Sequence, residues 1–185
     1  MSYPGSKTTS DYIDFDRATA VANKLIKENR KPILGLYIIV SVNTGLRISD
    51  VLNLKWTDLE GDCLKLNEKK TGKYRTIQIN DAIKKAISKF DKDSDYIFLS
   101  QKGSTFSRQQ INKLLKQVFS REAKTLNISS HSLRKSFGRR VFENNNESEK
   151  SLIYLSELFR HTSPSITRTY LGLRQEELND IYLNL

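Results

Sequence analysis

Ten consecutive residues, Ile33 to Val42 (ILGLYIIVSV), carry no charge and, apart from one tyrosine and one serine, no polar side chain. A helix that is apolar on every side must be covered on every side, so this segment has to lie in a core that other elements wrap. It is about half the ~20 residues needed to cross a bilayer, which argues against a membrane span and for a buried helix. That helix is expected from Ile33 to about Asn43, with Gly45 as its C-terminal glycine.

The wrapping elements are legible from periodicity. "DFDRATAVANKLIKENRKP" places Ala18, Val21, Leu25 and Ile26 on one face of an amphipathic helix that stops near Pro32. Ser49 and Asp50 are positioned to cap a short helix through Leu54. The pattern then switches to period two: "DCLKLNEKKTGKYRTIQIN" reads as strand, turn at Gly72, strand. "DYIFLS" (Asp95 to Ser100) is expected as a third strand, after a helix over "DAIKKAISKF" with Asp81 near its N-cap. From Ser107 onward the chain reads as helical, broken at Asn144 to Lys150 and at "HTSPSITRTY" (His161 to Tyr170). The expected fold is α+β and mainly helical, with a small three-stranded antiparallel sheet on one side. Residues 1–14 form a flexible lead-in, 15–173 the folded domain and 174–185 a helical tail.

Charge narrows the partner. Thirty-one Lys and Arg against twenty-one Asp and Glu leave a net charge of +10, the electrostatic footprint of a protein that meets a polyphosphate such as nucleic acid. Cys63 is the only cysteine, so no internal disulfide framework exists and a reducing, cytoplasmic compartment fits. One cysteine and two distant histidines match no zinc spacing. The N-terminus carries no signal-peptide pattern.

Candidate chemistry sits at element boundaries. Taken singly, each residue has an ordinary explanation. Arg47 can pair with Asp50, Lys70 is a solvated turn lysine, and His131 and Arg134 are neighbours on one helix face. Tyr170 alone is a packed aromatic. Together they form a coherent set. Two arginines can grip the nonbridging oxygens of a phosphodiester through forked hydrogen bonds. Histidines can donate and move a proton, a turn lysine can protonate a departing alkoxide, and a tyrosine can attack phosphorus. A free phenol has a pKa near 10, so only about one in a thousand is ionised at neutral pH, and cationic surroundings have to help. Fixed positive charge takes the place of a metal, so no cofactor is expected.

At this point the sequence resembles the tyrosine recombinase, or phage integrase, family in its catalytic domain. "TGLRISDVLNLKW" looks like the first arginine box, "KTGK" the lysine turn, "HSLRKSF" the H-x-x-R box, and "LFRHTSPSITRTY" the closing box with its nucleophilic tyrosine. The resemblance implies that Arg47, Arg134 and His161 hold the scissile phosphate and that His131 handles the proton at Tyr170. Lys70, with Lys69 and Lys73 beside it, would be the general acid for the leaving 5′ hydroxyl. Asp50 would orient cationic groups from behind, and Tyr170 would form a 3′-phosphotyrosyl link to DNA. Lys73 and Arg75 are expected to touch the DNA backbone.

The resemblance further implies a site-specific recombinase acting as a homo-tetramer on double-stranded DNA and a monomer when free. A type IB topoisomerase-like nicking-closing enzyme and an inactive DNA-binding regulator of the same fold stand as alternatives. Two features depart from the family. Arg160 stands where a glycine often precedes the closing-box histidine; if that glycine takes positive φ, the turn here is expected to differ, and Arg160 is placed to add a phosphate contact. The amino-terminal core-binding domain usual in the family is also absent from these 185 residues, which fits a catalytic-domain fragment or a small natural variant. In the tail, Leu178, Ile181, Tyr182 and Leu185 make an apolar stripe suited either to folding back on the core or to docking on a neighbouring protomer.

Overall fold

The computed structural model describes residues 9–67, 74–100 and 103–184. The apolar run becomes α2 (Pro32–Thr44), with every residue from Leu34 to Val42 buried. Helix α1 (Phe15–Lys27) covers one side of it through Ala18, Ala22 and Ile26, and the Asp14 side chain caps its start on Arg17 N at 2.7 Å. Gly45 ends α2 at φ 60°, and a Cβ there would come within 2.3 Å of the Phe137 ring, so position 45 excludes a side chain on two counts. The next helix, α3 (Ile48–Val51), is shorter than expected. It is entered from Arg47 rather than capped by Ser49 or Asp50.

The period-two stretch forms an antiparallel hairpin of β1 (Cys63–Asn67) and β2 (Tyr74–Gln78), in the register Leu64↔Ile77 and Leu66↔Arg75. The expected third strand does not form; among the described residues the sheet has two strands. Residues 95–100 make only isolated bridges, Lys55↔Tyr96 and Leu99↔Thr105. The reason is local. Ile97 and Phe98 are adjacent and both buried, 2% and 0% exposed, whereas neighbours on an edge strand face opposite ways. Their backbone is taken up by loops, with Ile97 N–H on Leu54 C=O and Phe106 N–H on Phe98 C=O.

Helices α4 (Asp81–Ile87), α5 (Arg108–Val118), α6 (Ser130–Asn144), α7 (Glu149–Phe159), α8 (Pro164–Leu171) and α9 (Leu173–Leu183) complete the domain. Asn80 caps α4, with Asp81 beside it as the first helical residue. Ser107, Ser129, Ser148 and Ser163 cap α5 to α8, so each start carries a hydroxyl that satisfies a first-turn N–H.

The lead-in is partly structural. Residues 9–14 run beside α6: Asp11 and Asn127 exchange hydrogen bonds at 3.1 and 2.8 Å, and Ile13 is 2% exposed. Two apolar clusters result. The larger surrounds α2. The smaller gathers Phe142, Leu152, Leu155, Phe159, Leu171 and Leu173 where α6, α7 and α8 meet. Gly138 makes that meeting possible, since a Cβ on it would lie 2.6 Å from Leu171 Cδ2.

Candidate active site

The C-terminus of α7 is the hub. A helix end leaves its last carbonyls without intrahelical partners and carries partial negative charge, so cations gather there. Phe159 C=O accepts from Arg47 Nη2 at 3.3 Å and from Arg134 Nη2 at 3.1 Å. Arg134 also donates through Nη1 to Gly45 C=O, and its guanidinium stacks 4.4 Å over the Phe159 ring. Arg75 Nη1 donates to Leu158 C=O at 2.9 Å. Three distant parts of the sequence are thereby tied to one helix end. Each tie follows from local structure: Arg47 leaves the turn made by Gly45, and Arg134 lies in the first half of α6.

Arg75, expected on the hairpin as a DNA-backbone contact, is buried, at 9% exposed. Period two explains the difference, because Arg75 shares its face of the chain with Ile77 and Ile79. Lys70 and Lys73 lie outside the described residues, as does Lys69. Asp50 is buried in α3, one turn beyond Arg47, whose C=O takes its N–H at 2.9 Å; its Oδ1 accepts from Ser49 Oγ at 3.4 Å.

His161 is placed by the way α7 stops. Arg160 N–H bonds Glu157 C=O at 3.1 Å and His161 N–H bonds Ser156 C=O at 2.8 Å, which is a Schellman motif with Arg160 at the left-handed position, φ 56°. The expectation that this turn must differ without glycine is therefore wrong: the arginine adopts the left-handed conformation itself. His161 Nδ1 pairs with the buried Thr167 hydroxyl at 2.9 Å, which leaves Nε2 for an outside partner. The same Phe159 ring contacts both His161, at 5.5 Å, and Tyr170, at 5.6 Å between centroids. His161 and Tyr170 meet edge to face at 5.1 Å.

Burial dominates the electrostatics. The Tyr170 hydroxyl is enclosed without a well-formed hydrogen bond, and burial pushes its pKa up to about 12 against the opposing pull of Arg134 and then Arg47. Burial and the charges of Arg134 and Arg47 hold the His161 pKa below its usual value. His131 stands in the first turn of α6 with solvent on one side. Its partial burial comes first in lowering its pKa, followed by Arg108, Arg134, Lys135 and Arg47. Both imidazoles are thus biased to the neutral form.

Phe159, the anchoring role of Arg75, and the cations Lys135 and Arg139 were missed by sequence reasoning. The signal for the last two was present, since His131, Lys135 and Arg139 recur every four residues along α6.

A mainly helical domain that gathers Arg47, Arg134, His161 and Tyr170 around one helix end has the architecture of a tyrosine recombinase catalytic domain. The chain belongs to the phage integrase family, whose sequence profile matches residues 12–177. A probable integrase/recombinase of Bacillus subtilis (strain 168), YoeC, is 30% identical over 175 residues, covering 90% of this chain and 91% of that protein. XerA recombinase superposes with a TM-score of 0.69 at 20% identity, over 98% of this chain and 66% of that one. XerH recombinase bound to a palindromic difH substrate, in a post-cleavage complex, gives 0.67 at 20% identity, over 98% of this chain and 55% of that one.

Proposed function

We propose that this chain is a site-specific DNA recombinase, or integrase, which cuts and rejoins DNA strands by transesterification through Tyr170. The observation that carries the reading is the convergence of Arg47 and Arg134 on Phe159 C=O, beside the His161–Tyr170 pair. A guanidinium presents five N–H donors in a planar fork that matches phosphate oxygens, so two arginines gathered at one point suit a phosphodiester. His161, anchored through Nδ1, offers Nε2 to the same phosphate. Family membership and the net charge of +10 support double-stranded DNA as the partner.

The Tyr170 oxygen forms a bond to phosphorus, and the bond from phosphorus to the 5′ oxygen breaks, leaving a 3′-phosphotyrosyl link. A phenol with a pKa of about 12 does not ionise by itself at neutral pH, so its proton has to leave as the new bond forms. His131, held neutral, is the acceptor. Lys70 supplies the proton to the departing 5′ oxygen, and Asp50 stays behind the arginines. Arg47 and Arg134 hold the charge that builds on the phosphorane. Attack by another strand's 5′ hydroxyl reverses the sequence without external energy. The working assembly is a homo-tetramer on DNA that forms from free monomers in the cytoplasm.

The test is covalent trapping. Protein and nicked duplexes spanning candidate junctions are incubated at low salt and resolved on a denaturing gel. A protease-sensitive 3′ adduct that is lost in Tyr170→Phe supports the reading. DNA binding with no adduct, also after a core-binding domain is supplied, would replace it with a non-catalytic DNA-binding regulator.

A further inference from the structure

Tyr170 lies in the last turn of α8, a helix of only eight residues that is followed at once by Gly172 at φ 81°. So short a helix is marginal by itself, and its final turn is where it frays, so the direction of the phenol depends on what holds that turn. Two buried cations from α6 reach it. Lys135, 8% exposed, places Nζ 5.1 Å from the centroid of the Tyr170 ring. Arg139, also 8% exposed, donates from Nε to Leu171 C=O at 3.0 Å, one residue past the tyrosine. The Arg139 guanidinium also packs against Gly172, 3.5 Å from where a Cβ would be, and stacks 4.4 Å over the Tyr12 ring.

Burying charge is costly unless the groups are engaged. They engage the nucleophile's ring, the carbonyl one residue past it, and the entering segment at Asp11, by charge, and Tyr12, by stacking. Burial lowers the Lys135 pKa, and Asp11 works against it by favouring the charged form.

We propose that Lys135 and Arg139 are positioning residues for Tyr170: Lys135 holds the face of the phenol and Arg139 holds the backbone that carries it. Together they aim the hydroxyl at the phosphate gripped by Arg47 and Arg134. The aiming role rests on Tyr170 being the nucleophile, whereas the clamp itself does not. The segment at Asp11 and Tyr12 completes the clamp, so the chain's entry into the domain and its nucleophile share the same two cations.

The test uses the full chain with Lys135→Met, Lys135→Arg and Arg139→Gln. Tyrosine nitration by tetranitromethane, mapped by peptide mass spectrometry, needs no DNA. Tyr170 should be protected in the parent protein relative to Tyr74 and Tyr182, which are 77% and 75% exposed. Lys135→Met and Arg139→Gln should raise its nitration several-fold without changing Tyr74 or Tyr182. Lys135→Arg should restore protection. On nicked duplex, the single-turnover cleavage rate constant should fall on the order of 10- to 100-fold with DNA affinity unchanged, the scale of a small misplacement of a reacting group. Unaltered Tyr170 nitration in both variants would overturn the clamp. A rate loss that tracks a general rise in nitration at all tyrosines would reduce both residues to fold stabilisers. A covalent adduct mapped to another residue in the parent protein would instead remove the nucleophile assignment and leave the nitration result to judge the clamp.

Discussion

Arg160 sits at φ 56° and ψ 43°, a conformation that costs an L-residue roughly 1–2 kcal/mol and costs glycine almost nothing. Replacing it by glycine also loosens the unfolded chain, which takes back about 0.4–1 kcal/mol. Arg160→Gly should therefore raise stability by a net of about 0.5–1 kcal/mol in urea denaturation. Arg160 is exposed next to His161, on the rim of the proposed phosphate site. If it contacts a DNA phosphate, the same variant should bind DNA more weakly, with the slope of log K against log salt reduced by about 0.9. A more stable protein with an unchanged salt slope would assign Arg160 no part in binding. The two histidines give a second prediction at this scale. Both pKa values are lowered from 6.5 in the folded state, first by burial and then by neighbouring arginines. As pH falls through 6.5 the unfolded chain takes up protons that the folded protein refuses, so stability should decline from there toward the folded values. Replacing His131 and His161 with glutamine should flatten that limb of the stability–pH curve.

Gly45 shows how one element end organises the site. It terminates α2, its C=O receives Arg134, and the turn it makes delivers Arg47. A methyl group there meets both the positive φ and the Phe137 ring, so Gly45→Ala should cost roughly 2–4 kcal/mol in denaturant unfolding. It should also weaken DNA binding, because both arginine anchors move with the turn. The elements themselves were largely legible in the sequence. A ten-residue apolar run fits a buried helix better than a membrane span, the switch to period two marks the hairpin, and the chain beyond Ser107 reads as helical. The phantom third strand arose because a short apolar run such as Tyr96 to Leu99 has no period to separate strand from loop. The site divides in the same way. Arg47, Arg134, His161 and Tyr170 sit in recognisable local contexts and converge in space. The burial of Arg75 was not legible because residue type alone does not give the face of a strand, and Phe159 was not because an apolar residue next to a charged motif looks like ordinary core. Lys135 and Arg139 escaped because buried cations resemble solvated ones in a sequence.

At the scale of the whole molecule, helix α9 carries apolar side chains that the core does not use. Leu178, Ile181, Tyr182 and Leu183 of α9 are 42%, 58%, 75% and 82% exposed. Of the expected stripe, Leu178, Ile181 and Tyr182 face solvent and Leu185 lies outside the described residues, while Leu173 at the root of α9 is buried. Covering apolar side chains of this size is worth roughly 1.5–3 kcal/mol each, so the face favours a partner over water. On the proposed reading that partner is another protomer on DNA, where high local concentration lets a modest interface act. Deleting residues 178–185 tests this at the scale of the assembly. Because the exposed stripe contributes little burial within the chain, the shortened protein should unfold at the same denaturant midpoint. On the proposed reading it should also sediment as a monomer, and so should the parent when free of DNA. On DNA carrying paired sites, the parent should build multi-protomer complexes in gel-shift and sedimentation experiments, and the shortened chain should stop at one protomer per site. Cleavage by the isolated protomer on a nicked duplex should survive, since Arg47, Arg134, His161 and Tyr170 all precede the deletion. A lowered unfolding midpoint would show the opposite arrangement, a tail that packs in cis in solution, and would separate the helix from assembly.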